Sequence, residues 1–215
     1  MLLRLPGVYR PQDDTEMLAD VIAAEELGPS SRVLDLCAGT GALSVRAAEA
    51  GAGSVTAVDV SLRAVLSIRL NALTRRLPIR VLRGDLTESI RSERFDLIVS
   101  NPPYVPAHDD ALPARGVARA WDAGKNGRAL LDRICAQSPD VLAPGGVLLL
   151  AQSALSGIEK TQTMLEEQNL RVELAATAQI PFGPVLERRR KMLEERGLIE
   201  PGQSREQIVV FRAAK

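Results

Sequence analysis

One histidine, two cysteines, one tryptophan, two tyrosines and three phenylalanines are all that a chain of 215 residues carries of those types. Each scarcity excludes something. With so few rings there is no spare set for stacking nucleic-acid bases. Cys37 and Cys135 stand far apart and form no metal-type spacing, so they read as free thiols in a reducing compartment. Charge of one sign is also missing: 27 basic residues balance 27 acidic ones. The usual electrostatic footprint of a nucleic-acid binder is therefore absent. No apolar run approaches the roughly 18 residues of a membrane span, and Met1-Leu2-Leu3-Arg4-Leu5-Pro6 is too short and interrupted for a signal peptide. The expectation is a cytoplasmic protein. What remains is 46% hydrophobic and 25% charged, the balance of a folded chain long enough for a real core. Residues 1–215 read as one domain.

Apolar runs at 32–37, 54–60, 79–83, 94–100 and 147–152 read as buried strands. Helical patterns at 42–50, 61–76, 129–142 and 157–168 separate or follow them. That alternation predicts an α/β fold with a doubly wound sheet and helices on both faces. Strands at 170–180 and 207–212 have no crossover helix to a parallel partner, so the last strand is expected to run antiparallel. A helix capped by Asp14 or Thr15 is expected to run to about Leu27. The 61–76 helix is expected to turn Leu62, Val65, Leu66 and Leu73 inward. Residues 184–197 form an inserted amphipathic helix with the basic run Arg188-Arg189-Arg190-Lys191. That run is either a solvated face carrying Glu–Arg and Glu–Lys pairs or a nucleic-acid patch.

Four polar features fall where strands end. Asp35 lies in the first, just before Gly39 and Gly41, which permit a tight loop and close approach of a ligand. No third glycine and no Gly-Lys-Ser/Thr follows, so dinucleotide and P-loop readings fit less well. A carboxylate there suits a ligand with a positive amine. Asp59 ends the second strand, about twenty residues on, where it can accept from both ribose hydroxyls or cap the next helix. Asp85 ends the third and suits an exocyclic amine of adenine, with a cap again the alternative. The fourth runs into Asn101-Pro102-Pro103-Tyr104. Two prolines fix φ and remove two donors. The result is a rigid loop with a side-chain amide at its base and a ring at its tip. A planar –NH2 group donating to the Asn101 oxygen and the Pro102 carbonyl would be held with its lone pair aimed at an electrophile, with Tyr104 stacked on it. Alone, the same four residues are an ordinary Pro-Pro turn. In the 105–124 loop, His108 is a base or a solvated side chain, and Trp121 packs the loop or lines a substrate groove.

Leu34-Asp35-Leu36-Cys37-Ala38-Gly39-Thr40-Gly41, Asp59, Gly84-Asp85 and Asn101-Pro102-Pro103-Tyr104 together resemble the class I S-adenosylmethionine-dependent methyltransferases. Within them the chain is similar to the HemK-like protein-(glutamine-N5) methyltransferases. Val8-Tyr9 with Pro11 and Asp13-Asp14-Thr15, and Ala120-Trp121-Asp122 with Gly124, Gly127 and Arg128, resemble the short eukaryotic/archaeal-type branch. Ala123 departs from that branch's Trp-Asp-Gly-Gly run. The resemblance implies a seven-stranded Rossmann-like sheet, without the helical N-terminal domain of bacterial release-factor methyltransferases. Residues 1–30 would then cover cofactor and substrate. It implies that Thr15, Asp35, Gly39, Gly41, Asp59, Asp85, Leu86 and Asn101 bind S-adenosylmethionine. Asn101, Pro102, Pro103, Tyr104 and Trp121 would bind the substrate, and Asn101, Pro102 and Tyr104 would carry catalysis, by direct transfer without a metal. The implied substrate is a glutamine side chain, most readily the Gly-Gly-Gln of a peptide release factor. The alternative is an adenine or guanine amino group of DNA or RNA. Members of the branch often need a small zinc-binding activator subunit.

Overall fold

A computed structural model of the chain describes residues 2–114 and 116–215. Met1 of the amino-terminal run and Arg115 of the 105–124 loop lie outside the described residues. Among the described residues seven strands form one sheet: β1 (Arg32–Leu36), β2 (Ser54–Asp59), β3 (Ile79–Arg83), β4 (Phe95–Ser100), β5 (Leu142–Ser153), β6 (Arg171–Pro181) and β7 (Arg205–Ala214). Their order is β3-β2-β1-β4-β5-β7-β6. The first five are parallel, and β7 runs antiparallel to both neighbours. The helices are α1 (Asp13–Ala24), α2 (Ala42–Glu49), α3 (Leu62–Arg75), α4 (Ala129–Val141), α5 (Ile158–Glu166) and α6 (Pro184–Glu195). Among the described residues no helix is long and apolar enough to cross a membrane.

The central strands are buried on both faces, as crossover helices require of a parallel sheet. Side chains alternate between faces along each strand. Leu34, Leu36 and Ile98 point to the layer of Leu131 and Ile134 on α4 and Leu165 on α5. Val33, Leu97 and Val99 point to the layer of Leu18 and Ile22 on α1 and Leu43 on α2. Pro144-Gly145-Gly146 forms an irregularity inside β5: Phe95 pairs with Leu142, and Leu97 next pairs with Val147.

Two expectations need correction. The first helix begins at Asp13 with Gln12 at the cap position and no side-chain cap. Asp14 does not close the helix end because its carboxylate is drawn to distant partners. On α3, only Val65 of the four expected residues is buried; Leu62, Leu66 and Leu73 are 52%, 40% and 75% exposed. The inward face is instead Ala64, Val65, Ser67, Ile68, Asn71 and Ala72. Polar side chains turn inward because the amino-terminal segment lies across them. Leu3 N–H donates to Asn71 Oδ1 at 2.7 Å, Asn71 Nδ2 donates to the Leu3 carbonyl at 2.8 Å, and Leu5 N–H donates to Ser67 Oγ at 3.1 Å. A leucine in those places would leave buried backbone groups unpaired. Ile68→Ala is therefore expected to cost about 2–5 kcal/mol, whereas Leu73→Gln stays within about 0.5 kcal/mol of the parent. Urea unfolding of the two variants measures the difference, and equal effects would reverse the assigned face.

Candidate active site

The ends of β1, β2 and β4 carry Asp35, Asp59 and Asn101, and Asp14 of α1 joins Asn101 there. Asp35 is fully buried. Its Oδ2 accepts from the backbone N–H and hydroxyl of Ser44, the former at 2.9 Å, in the first turn of α2. Its Oδ1 has no partner. Burial pushes the carboxyl up to about 7, against the opposing hydrogen bonds from Ser44. Gly41 caps α2 at φ 79°, and a Cβ there would come within 3.0 Å of Ile68. That left-handed turn is what lets the loop pass from β1 into the helix.

Asp59, at the tip of β2, accepts from Gly39 N–H at 2.9 Å through Oδ2 and from Ser61 N–H at 2.8 Å through Oδ1. Ser61 caps α3, accepting from Ala64 N–H. Asp59 thus ties the glycine loop to the second strand, and each oxygen keeps a further lone pair. Burial raises its carboxyl as well. Asp85 stands apart, in an ion pair with Arg133 at 2.9 Å that is more than a third exposed on both sides. Leu86 beside it is buried, with φ 47°.

At the end of β4, Ser100 Oγ donates to the Leu36 carbonyl at 2.9 Å and pins this strand to β1. Asn101 Nδ2 donates to Asp14 Oδ2 at 2.9 Å and to Thr15 Oγ1 at 3.1 Å. Asn101 Oδ1 is buried and unpartnered. Pro102 is buried and Pro103 partly so. Tyr104 is buried too, and its hydroxyl donates to Asp14 Oδ2 at 2.8 Å. The backbone of this loop is held from below: Ser156 Oγ donates to the Tyr104 carbonyl at 2.8 Å. A Cβ at Gly127 would lie 2.3 Å from that same carbonyl oxygen, so only glycine fits.

Trp121 is half-buried, and its carbonyl accepts from Val105 N–H at 2.8 Å. His108 is exposed. Sequence reasoning missed α6's part in this loop. Arg189 donates to the Pro106 carbonyl at 2.8 Å and to Asp122 at 2.6 Å; Arg196 donates to the carbonyls of Ala107 and His108 at 2.7 and 2.8 Å. Intrahelical pairing is left to Arg190 with Glu187 and Lys191 with Glu195. It also missed Asp14 and Glu206. Glu206, near the start of β7, is buried, with Oε2 unpartnered. Burial pushes its carboxyl up to about 7. Its sequence neighbours, Arg205 and Gln207, are polar, so nothing local marked it out. The antiparallel course of β7 sets its beginning beside the carboxyl end of β5, where Ile208 pairs with Ser153.

Among the described residues, three of the five buried polar atoms without a partner belong to Asp35, Asn101 and Glu206. Buried acceptors are normally paired, so this edge of the sheet is built to receive donors. Two surface hollows of about 450 and 530 Å³ lie elsewhere, along α1 beside Glu25 and Arg212.

The chain matches the family model "Methyltransferase small domain" over residues 2–179. It is 33% identical over 177 residues to a candidate protein N5-glutamine methyltransferase of Methanocaldococcus jannaschii, MJ0928, covering 82% of this chain and 88% of that one. It is 36% identical over 174 residues to the release factor glutamine methyltransferase of Bordetella pertussis, covering 77% of this chain and 64% of the relative. Among solved structures it superposes on E. cuniculi Mtq2, from the Mtq2–Trm112 complex described as responsible for methylation of the eRF1 translation termination factor. The TM-score is 0.66 at 24% identity, covering 97% of this chain and 99% of that one.

Asp35 and Glu206 both bind a proton more tightly folded than unfolded. The stability they contribute is complete below roughly pH 4 and is lost as pH rises through about 7. The melting temperature of the ligand-free protein is expected to fall by about 5 °C or more between pH 5 and 8. Asp35→Asn and Glu206→Gln should each flatten that slope. Scanning calorimetry across the range decides it, and a rising profile would contradict the burial argument.

Proposed function

The chain belongs to the methyltransferase small domain family, and we propose that the acceptor of its methyl group is the side-chain amide nitrogen of a glutamine in a protein, such as the Gly-Gly-Gln of a peptide release factor. One observation carries this reading: Asn101 Oδ1 is a buried acceptor without a donor, at the mouth of a proline-stiffened loop. A primary amide supplies that donor. Its two N–H groups reach Asn101 Oδ1 and the Pro102 carbonyl, and the planar nitrogen is held rather than left to rotate. An amide nitrogen is a weak nucleophile, so placement must carry much of the rate. The relatives named as glutamine methyltransferases support the same acceptor.

The residues at the strand ends fit S-adenosylmethionine, whose chemistry when bound is an electrophilic methyl group. Asp35 Oδ1, buried and unpartnered, suits the ligand's ammonium group. Asp59 suits the ribose hydroxyls through its remaining lone pairs. Gly39 and Gly41 allow close approach of the backbone, and the same reading assigns Thr15 to the ligand's carboxylate and Asp85 with Leu86 to its adenine. Trp121 and Tyr104 belong to the acceptor side. A planar amino group of a nucleic-acid base meets the Asn101 acceptor equally well. The protein reading is preferred because Arg189 and Arg196 spend donors inside the protein, and the net charge is zero.

An activator subunit, as in the E. cuniculi complex, forms part of the same proposal. Leu62, Leu66, Leu70 and Leu73 form an exposed stripe, 40–75% accessible, along α3. That helix lies next to the edge strand β3, so the stripe and one unpaired row of backbone groups are offered together.

Transfer of labelled methyl to a purified release factor tests the acceptor. Label is expected on the intact factor, and on neither a factor lacking the Gly-Gly-Gln glutamine nor DNA or RNA. Label on nucleic acid would overturn the reading. Asn101→Ala should lower kcat by roughly 100-fold or more while cofactor Kd moves less than about threefold. Leu66→Glu with Leu73→Glu should leave the melting temperature within about 2 °C and abolish any gain from an added activator.

A further inference from the structure

The end groups of an asparagine amide are nearly the same size, and half a turn about the last side-chain bond exchanges donor for acceptor. Everything proposed for Asn101 depends on its oxygen facing the substrate. Turned the other way, it would set –NH2 against –NH2. Nothing in the Asn-Pro-Pro-Tyr loop itself makes that choice. We infer that Asp14 is the positioning residue that makes it, by holding Asn101 Nδ2 and so fixing Oδ1 as the free acceptor. This rests on the proposed amide-binding role of Asn101.

Asp14 is 4% exposed and sits in the first turn of α1, remote in sequence from the loop. Both its oxygens receive hydrogen bonds. Oδ2 accepts from Asn101 Nδ2 at 2.9 Å and from the Tyr104 hydroxyl at 2.8 Å. Oδ1 accepts from Thr15 N–H at 2.7 Å. The Tyr9 hydroxyl donates at 3.2 Å from the remaining side. A carboxylate so surrounded has only acceptors to offer, so a reversed Asn101 would press oxygen against oxygen in a buried site, at a cost water cannot relieve. Thr15 adds a second acceptor for the same –NH2 group, through Oγ1 at 3.1 Å. The arrangement also spends the hydroxyl hydrogens of Tyr9 and Tyr104 on Asp14. Neither tyrosine then presents a donor to the acceptor nitrogen, whose lone pair must stay free. The fold thus builds the acceptor site from two halves, the start of α1 and the end of β4.

The test uses the full chain and reads the bond itself before reading turnover. The chain has four asparagines, Asn71, Asn101, Asn126 and Asn169, so selective 15N-asparagine labelling gives four side-chain amide pairs, with Asn101 assigned by its absence in Asn101→Ala. One Asn101 amide hydrogen is expected to be shifted and slow to exchange in the parent. Asp14→Leu, which removes both acceptor oxygens, should abolish both properties. A freely exchanging Asn101 pair in the parent would overturn the inference, whatever the substrate proves to be. Turnover follows, with cofactor binding by calorimetry and a thermal melt as controls for folding. Asp14→Leu should lower kcat by roughly 10- to 100-fold with cofactor Kd within about threefold. Asn101→Asp should be worse, because it sets two carboxylates face to face. Asp14→Asn combined with Asn101→Asp returns a donor at position 14 and an acceptor at 101, and should recover at least tenfold over Asn101→Asp alone. A double variant no better than Asn101→Asp, or Asp14→Leu at full kcat, would overturn the assignment. A parent that fails to methylate glutamine but keeps its protected Asn101 amide would reject the proposed acceptor and leave the Asp14–Asn101 bond standing.

Discussion

Carboxylates taken out of water without cations beside them set the terms for this structure. Asp14, Asp35 and Glu206 are buried at one edge of the sheet, and Asp59 stands half-covered among them. Burying such groups costs several kcal/mol each unless donors replace the lost water. Here the donors are backbone N–H groups and hydroxyls: Ser44 for Asp35, Gly39 and Ser61 for Asp59, Tyr104 and Thr15 for Asp14. The ion pairs of Arg32–Asp96, Arg80–Glu93 and Arg212–Glu25 lie away from this edge. Neutral donors satisfy geometry but do not cancel charge. Above about pH 7, where Asp35 and Glu206 lose their protons, the edge carries a negative potential, and a ligand bearing positive charge meets it at short range in a medium that screens poorly.

What the sequence made legible was local. Strand runs, the glycines after β1 and the polar residue at each strand end follow from periodicity and chain direction. The parallel sheet then brings those ends to one edge. What it hid was everything decided by partners far along the chain. Asp14 looks like a helix cap until Asn101, 87 positions on, is placed beside it. The arginines of α6 look like a solvated or nucleic-acid-binding face until Pro106 and Ala107, more than 80 positions back, accept from them. The inward face of α3 misled for the opposite reason. Its leucines outrank Ser67 and Asn71 in hydrophobicity, but an irregular segment crossing the helix needs hydrogen bonds more than it needs oil.

The same contacts explain why the long loop after β4 is not slack. Val105 and Asp122 pair across it, Arg189 and Arg196 hold its carbonyls, and α6 closes a small apolar cluster of Phe182, Leu186, Leu193 and Ile199 against its base. The helix inserted between β6 and β7 is thus part of the acceptor side of the site. Changes in it are felt at the loop through directed hydrogen bonds, while its outward Glu–Arg and Glu–Lys pairs remain free to vary.

The place of β7 has a consequence for how the chain reaches this state. It comes seventh in sequence among the described strands, yet it sits inside the sheet, between β5 and β6. Until residues 205–214 arrive, β5 presents an open edge and β6 has no partner. A chain leaving the ribosome amino end first therefore carries an unfinished, sticky sheet margin until those residues emerge. Closure inserts one strand between two, with Glu206 drawn in behind it. That closure follows the making of the glycine loop, its helix and the Asn101 loop, all of which precede β7 in the chain.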